Sequence, residues 1–101
     1  MLILIPVDTT DGNNAEIVSL AALTHWALVD FDEGRVQSIK FFTDRTQTGE
    51  EWIDFVILKN KFENYMPFME EGMMVLVVRE EERIEEIMEA FKFKELDEIG
   101  L

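Results

Sequence analysis

Three short apolar runs constrain this chain more than any other feature. They are residues 2–7 (Leu-Ile-Leu-Ile-Pro-Val), 55–58 (Phe-Val-Ile-Leu) and 73–78 (Met-Met-Val-Leu-Val-Val). Each is too short for a stable helix and lacks polar alternation, so each reads as a strand buried on both faces. Around the last two the pattern turns helical. Residues 46–53 read as a short helix capped by Thr46 or Thr48, with Glu50 and Glu51 near its positive end. Asn64 caps a segment carrying Tyr65, Met66, Phe68 and Met69. Pro67 falls in its first turn and Gly72 at its stop. In residues 80–91, Ile84, Ile87, Met88 and Phe91 recur at i, i+3, i+4 and i+7, which is one helix face. Glu80, Glu81 and Glu82 are expected in its first turn, and Lys92 and Lys94 near its other end. Helices alternating with buried strands imply parallel pairing through right-handed crossovers.

The first half reads differently. Residues 8–14 (Asp-Thr-Thr-Asp-Gly-Asn-Asn) are turn formers. Residues 15–23 are a short helix or an irregular crossing segment, and both readings stand. Residues 24–31 are rich in β formers, Asp32-Glu33-Gly34 makes a tight turn, and residues 35–42 alternate at period two. That alternation puts Val36, Ser38, Lys40 and Phe42 on one face and Gln37, Ile39 and Phe41 on the other. The sum is an α/β domain with a mixed sheet of about five strands: an antiparallel hairpin first, then helix–strand–helix–strand–helix.

Composition narrows the function. The chain has 101 residues, enough for one domain, and 48% are hydrophobic, enough for a core. Its 22 acids against 9 bases give a net charge of -13. Nucleic acid and anionic membrane surfaces both need clustered Lys and Arg, so neither is an expected partner. No apolar run approaches the ~20 residues of a membrane span. Residues 1–7 have no basic segment and meet Pro6 and Asp8, unlike a secretory signal. Cysteine is absent, which excludes thiolate chemistry and disulfides. The expected location is cytoplasmic. The charge is denser toward the end, with 11 acids and 5 bases over residues 1–69 and 11 acids and 4 bases over residues 70–101. There it reads as a solvated helix face.

Several stretches resemble a known family. Ile3-Leu4-Ile5-Pro6-Val7-Asp8 is similar to its opening strand, and residues 27–34 (Ala-Leu-Val-Asp-Phe-Asp-Glu-Gly) to its second strand and turn. Residues 54–58, 69–75 and 85–96 follow its second half in order and spacing. The family is the dinitrogenase iron–molybdenum cofactor-binding family, small ribonuclease H-like domains that include nitrogenase accessory proteins. The resemblance implies a three-layer ribonuclease H-like fold and a non-catalytic accessory or carrier protein for a small anionic or metal-cluster ligand. The family's His-Phe-Gly motif falls on Ser19-Leu20-Ala21, and its Gly-rich turn on Leu58-Lys59-Asn60-Lys61-Phe62. The chain is thus a divergent member that lacks both motifs, with Ser19 where the family has its His and no glycine at 58–62; Ser19, Lys59, Asn60 and Lys61 at these positions, with the sole histidine His25, are the expected cofactor-binding residues. No residue singles out one cofactor.

Other candidates carry less. His25, the sole histidine, reads as a cluster ligand or proton shuttle, or as a strand residue with a polar tip beside Trp26. Asp8, Asp30 and Asp54 invite comparison with strand-end carboxylates that hold two metals, but turn capping suits them better. Lys59 and Lys61 follow a strand expected to be parallel, where open α/β sheets bind ligands. They read equally as ordinary loop lysines. Trp52, Tyr65, Met66, Phe68, Met69, Met73 and Met74 are mostly core, and any left exposed mark an interface. The alternative function is a protein-interaction module, with a homodimer as one form of it, that keeps the fold without the ligand.

Overall fold

The computed structural model describes residues 1–50 and 52–99. The first apolar run is strand β1 (Leu2–Val7), and Ile3 to Val7 are all buried. The other strands are β2 (His25–Asp32), β3 (Arg35–Phe42), β4 (Phe55–Leu58), β5 (Met74–Val77) and β6 (Asp97–Ile99). They form one sheet in the order β3-β2-β1-β4-β5-β6. β1, β4 and β5 are parallel, while β2, β3 and β6 each pair antiparallel with their neighbour. Pro6 is tolerated in this central strand because β1 pairs with β4 only through Ile3 and Leu4.

The sheet has six strands, not about five. β6 is an Asp-Glu-Ile segment, exposed at Asp97 and Glu98 and half-buried at Ile99, with no apolar run to announce it. It forms because the edge of β5 offers backbone partners, and Val75, Leu76 and Val77 pair with Ile99, Glu98 and Asp97.

Each sheet face has its own core. Ile3, Ile5, Val7, Ala27, Val29 and Ile57 meet helix α2 (Ile84–Lys92) through Ile84, Ile87 and Met88. Leu4, Leu28, Val56, Leu58 and Val75 meet Phe68 of helix α1 (Met66–Glu70), together with Trp26 and Ile53. Phe91 packs edge-on against Phe31 and Phe55, with ring centroids 5.4 and 5.1 Å away. Gly72, at φ 89°, ends α1 as expected. Tyr65 rather than Asn64 stands at its N-cap.

Four local expectations are corrected. The hairpin turn holds Glu33 at φ 53° and Gly34 at φ 78°, the two left-handed positions of a tight hairpin loop. Beyond it, Asp30 faces Ser38 but Phe31 faces Val36, so Gln37 is an extra residue. This bulge turns Val36 onto the same core as Ile39 and Phe41, away from Phe42. Gln37 donates its side-chain N–H to the Asp32 carbonyl at 3.0 Å.

The expected helix over 46–53 is a single 3-10 turn, Arg45–Thr48. Its cap is Asp44, which accepts from the Thr46 amide at 2.9 Å, while the Gln47 side chain accepts from the Asp44 amide at 3.0 Å. Gly49, at φ 73°, closes it. Glu51 lies outside the described residues.

α2 begins at Ile84, so Glu85 and Glu86, not Glu80, Glu81 and Glu82, occupy its first turn. The preceding backbone is already engaged: the Glu82 carbonyl accepts from Ile17 N–H, and Ile84 N–H donates to the Ala15 carbonyl. Those same bonds make residues 15–23 an irregular crossing segment. Val18 N–H also donates to the Pro6 carbonyl, which fastens the segment to the end of β1.

Arg45 joins the 3-10 turn to α1. Its guanidinium donates two hydrogen bonds to the Glu71 carboxylate and lies 4.8 Å from the Phe68 ring centroid. The hydrogen bonds from Arg45 hold the Glu71 carboxyl below its ordinary value of 4.5. A lowered folded-state value stabilises the protein above pH 4.5, and that contribution disappears as pH falls through the folded value. Wild type is expected to lose more stability than Arg45→Ala in chemical denaturation as the pH falls below the ordinary Glu value of 4.5. The difference is modest because the pair is partly exposed.

Candidate ligand site at the end of the sheet

The parallel strands β1, β4 and β5 all point their C-terminal ends the same way, toward Val7, Leu58 and Val77. His25 joins this end because it opens β2 opposite Val7. Lys59, Asn60 and Lys61 follow β4 directly, and Arg79 follows β5 two residues on.

Two loops meet here through a residue that sequence reasoning missed. The Glu63 carboxylate accepts from Leu20 N–H with one oxygen. With the other it accepts from Lys59 N–H at 3.1 Å and Asn60 N–H at 3.4 Å. The stretch aligned with the family's His-Phe-Gly motif and the stretch aligned with its Gly-rich turn are thus clasped together. Asn60 closes the turn itself, since its side-chain oxygen accepts from Phe62 N–H at 2.9 Å. The signal in the sequence is slight. Glu63 is the sole acid between Asp54 and Glu70, three residues after an Asn turn former.

Beside this clasp lies an open groove of about 690 Å³. Lys59, Asn60, Lys61 and Phe62 form one wall, residues 77–79 the floor, and residues 97–99 the other wall. Phe62 is 86% exposed, and the Lys61 ammonium lies 5.4 Å from its ring centroid. Arg79 donates to Asp97 Oδ1 at 3.1 and 3.0 Å, and this contact raises the guanidinium's already high pKa. Among the described residues, no carboxylate lies within ion-pair distance of Lys59 or Lys61.

The expected positions thus divide. Lys59 and Asn60 contact the clasp, Lys61 lines the groove, and Ser19 lies one residue from the bonded Leu20 amide. Ser19 contributes its carbonyl to a local turn, accepting from Ala22 N–H. His25 is half-buried, and its Nδ1 lies 3.0 Å from Thr24 Oγ1. The three aspartates do not converge. Asp8 follows the C-terminal end of β1, whereas Asp54 accepts from Leu2 N–H at its start, and Asp30 pairs with Leu2. Among the described residues, no three His, Asp or Glu side chains gather where they could hold one metal ion. No described helix is long and apolar enough to cross a membrane.

No protein-family model matches the chain, and no curated protein matches it. Solved structures do. One is the crystal structure of a protein from Methanocaldococcus jannaschii named as a candidate dinitrogenase. It is 23% identical, with a TM-score of 0.78 over 99% of this chain and 95% of that one. Another is the solution structure of a protein from Thermotoga named as a candidate NifB protein of the DUF35 family. It is 15% identical, with a TM-score of 0.73 over 96% of this chain and 91% of that one. At these identities the likeness is one of fold, and it runs end to end.

Proposed function

We infer that this chain is a cytoplasmic, non-catalytic accessory or carrier protein. In this reading it is a divergent ribonuclease H-like domain of the dinitrogenase iron–molybdenum cofactor-binding type. Its cargo is a small anionic or metal-bearing ligand held at the end of the sheet, where residues 19–25 approach residues 59–63. The observation that carries the reading is the end-to-end fold likeness to the Methanocaldococcus jannaschii protein. The local chemistry agrees in sign. Lys59, Lys61 and Arg79 line one groove together with Asp97 and Glu98; Arg79 is paired with Asp97, while among the described residues Lys59 and Lys61 have no carboxylate within ion-pair distance. Cations and amide donors suit an anion, whereas a bare metal ion needs several converging ligands. His25 supplies one imidazole at the same end for a metal-bearing cargo.

Protein purified anaerobically from its native host is expected to carry iron or molybdenum. Adding the released cargo to stripped protein is expected to shift the His25 imidazole resonances. Colourless, metal-free protein whose His25 resonances do not move contradicts the reading.

A second reading, a protein-interaction module that forms homodimers, draws on Phe62, a large aromatic left 86% exposed beside the groove. It expects a dimer in light scattering that Phe62→Ala disrupts. A monomer at high concentration contradicts it.

A further inference from the structure

Three backbone N–H groups from two separate loops converge on one carboxylate. Converging backbone amides are a recurrent way of binding anions, and here the anion is the protein's own Glu63. We propose that the Leu20, Lys59 and Asn60 amides form a small-oxyanion seat that Glu63 occupies as an internal competitor. A tetrahedral oxyanion such as phosphate binds there by displacing the Glu63 side chain.

Several features fit a seat with an exchangeable occupant better than a permanent staple. Glu63 is half-buried rather than enclosed, so its carboxylate has a route to solvent. Among the described residues, no cation forms an ion pair with it, so only amide donors retain it. Lys59 and Lys61 stand on the same turn and favour a second anion over solvent. The turn keeps its own fastening when Glu63 leaves, because the Asn60 side chain still accepts from Phe62 N–H. Displacement therefore breaks the link between residues 20 and 63 without dissolving the 59–62 turn. The seat would be gated by its own side chain, with the bound anion replacing Glu63 as the bridge between the two loops.

The proposal builds on the ligand-binding reading, but its test uses inorganic phosphate, so the two fail separately. Phosphate is titrated at low ionic strength into wild type, Glu63→Ala and Glu63→Gln, with backbone amide resonances as the readout. Glu63→Ala is expected to bind phosphate at least about tenfold more tightly than wild type, the size of effect given by losing one charged competitor. The saturable shifts should centre on Leu20, Lys59 and Asn60. Glu63→Gln keeps the side chain's length while removing its charge, and is expected to bind more tightly than wild type too. It decides the matter if the alanine variant does not fold. Variants that fold yet bind phosphate no better than wild type, or that place the shifts elsewhere, overturn the proposal. Loss of the cargo reading with phosphate still seated on these amides leaves the proposal standing.

Discussion

Replacing Ile57 with alanine is expected to destabilise the protein by about 2–5 kcal/mol, read as a lower denaturant midpoint with an unchanged slope. Ile57 is 0% exposed in β4. Its side chain lies in the core shared with Ile3, Ile5, Ile84 and Ile87. β4 is held on both sides, by β1 and β5, so its backbone cannot collapse into the space left by the lost methyl groups. A domain of this size has only about 5–15 kcal/mol in total, so the variant should sit near its unfolding threshold. Ile39 is the control. It lies half-buried on the edge strand β3, and its replacement by alanine should cost clearly less.

The second large effect is expected at Gly72. Its φ of 89° is a conformation that a β-branched residue adopts only with strain. The space itself is ample, since an added Cβ would meet only the Trp52 ring, at 3.8 Å. The cost of a Cβ at this position therefore comes from the backbone. It should be about 1–2 kcal/mol by chemical denaturation. Gly72→Asn, which tolerates the left-handed region, should recover part of the loss. If valine and asparagine were equally neutral, the turn between α1 and β5 would not require this conformation.

The legible parts of this fold were those whose signal is carried by their own side chains. β1 and β4 are buried on both faces, and β5 keeps an apolar run although Met74 is exposed and Leu76 half-buried on one of its faces. The spacing of Ile84, Ile87, Met88 and Phe91 marks α2 because only a helix puts positions i, i+3, i+4 and i+7 on one side. The parts that were not legible depend on partners distant in the chain. β6 exists because β5 has an edge to offer, not because Asp-Glu-Ile prefers to be extended. The bulge at Gln37 reverses the facing of Val36, and strict period-two counting cannot anticipate one extra residue. The start of α2 is set by backbone bonds to Ala15 and Ile17, which lie nearly seventy residues upstream.

The site divides along the same line. Lys59 and Lys61 could be found because loops that follow parallel strands are favoured places for ligands. Glu63 could not be found in this way. Its role comes from a bond to Leu20, 43 residues away, and its place three residues after Asn60 is only a slight local signal. Arg79 and Phe62 likewise become groove residues only once β5 and β6 are placed beside β4.

The most direct test of the ligand site compares wild type with the Lys59→Ala/Lys61→Ala double variant. Both are purified anaerobically from the native host and analysed for iron and molybdenum per chain. Lys59 and Lys61 are exposed and surface changes of this kind alter stability by only about 0.5 kcal/mol, so a lost cargo reports binding rather than unfolding. The expected result is a wild type that carries at least one of these elements and a folded double variant that has lost most of it. Wild type carrying none of them, or a double variant loaded as fully as wild type, would contradict a cargo held at the end of this sheet.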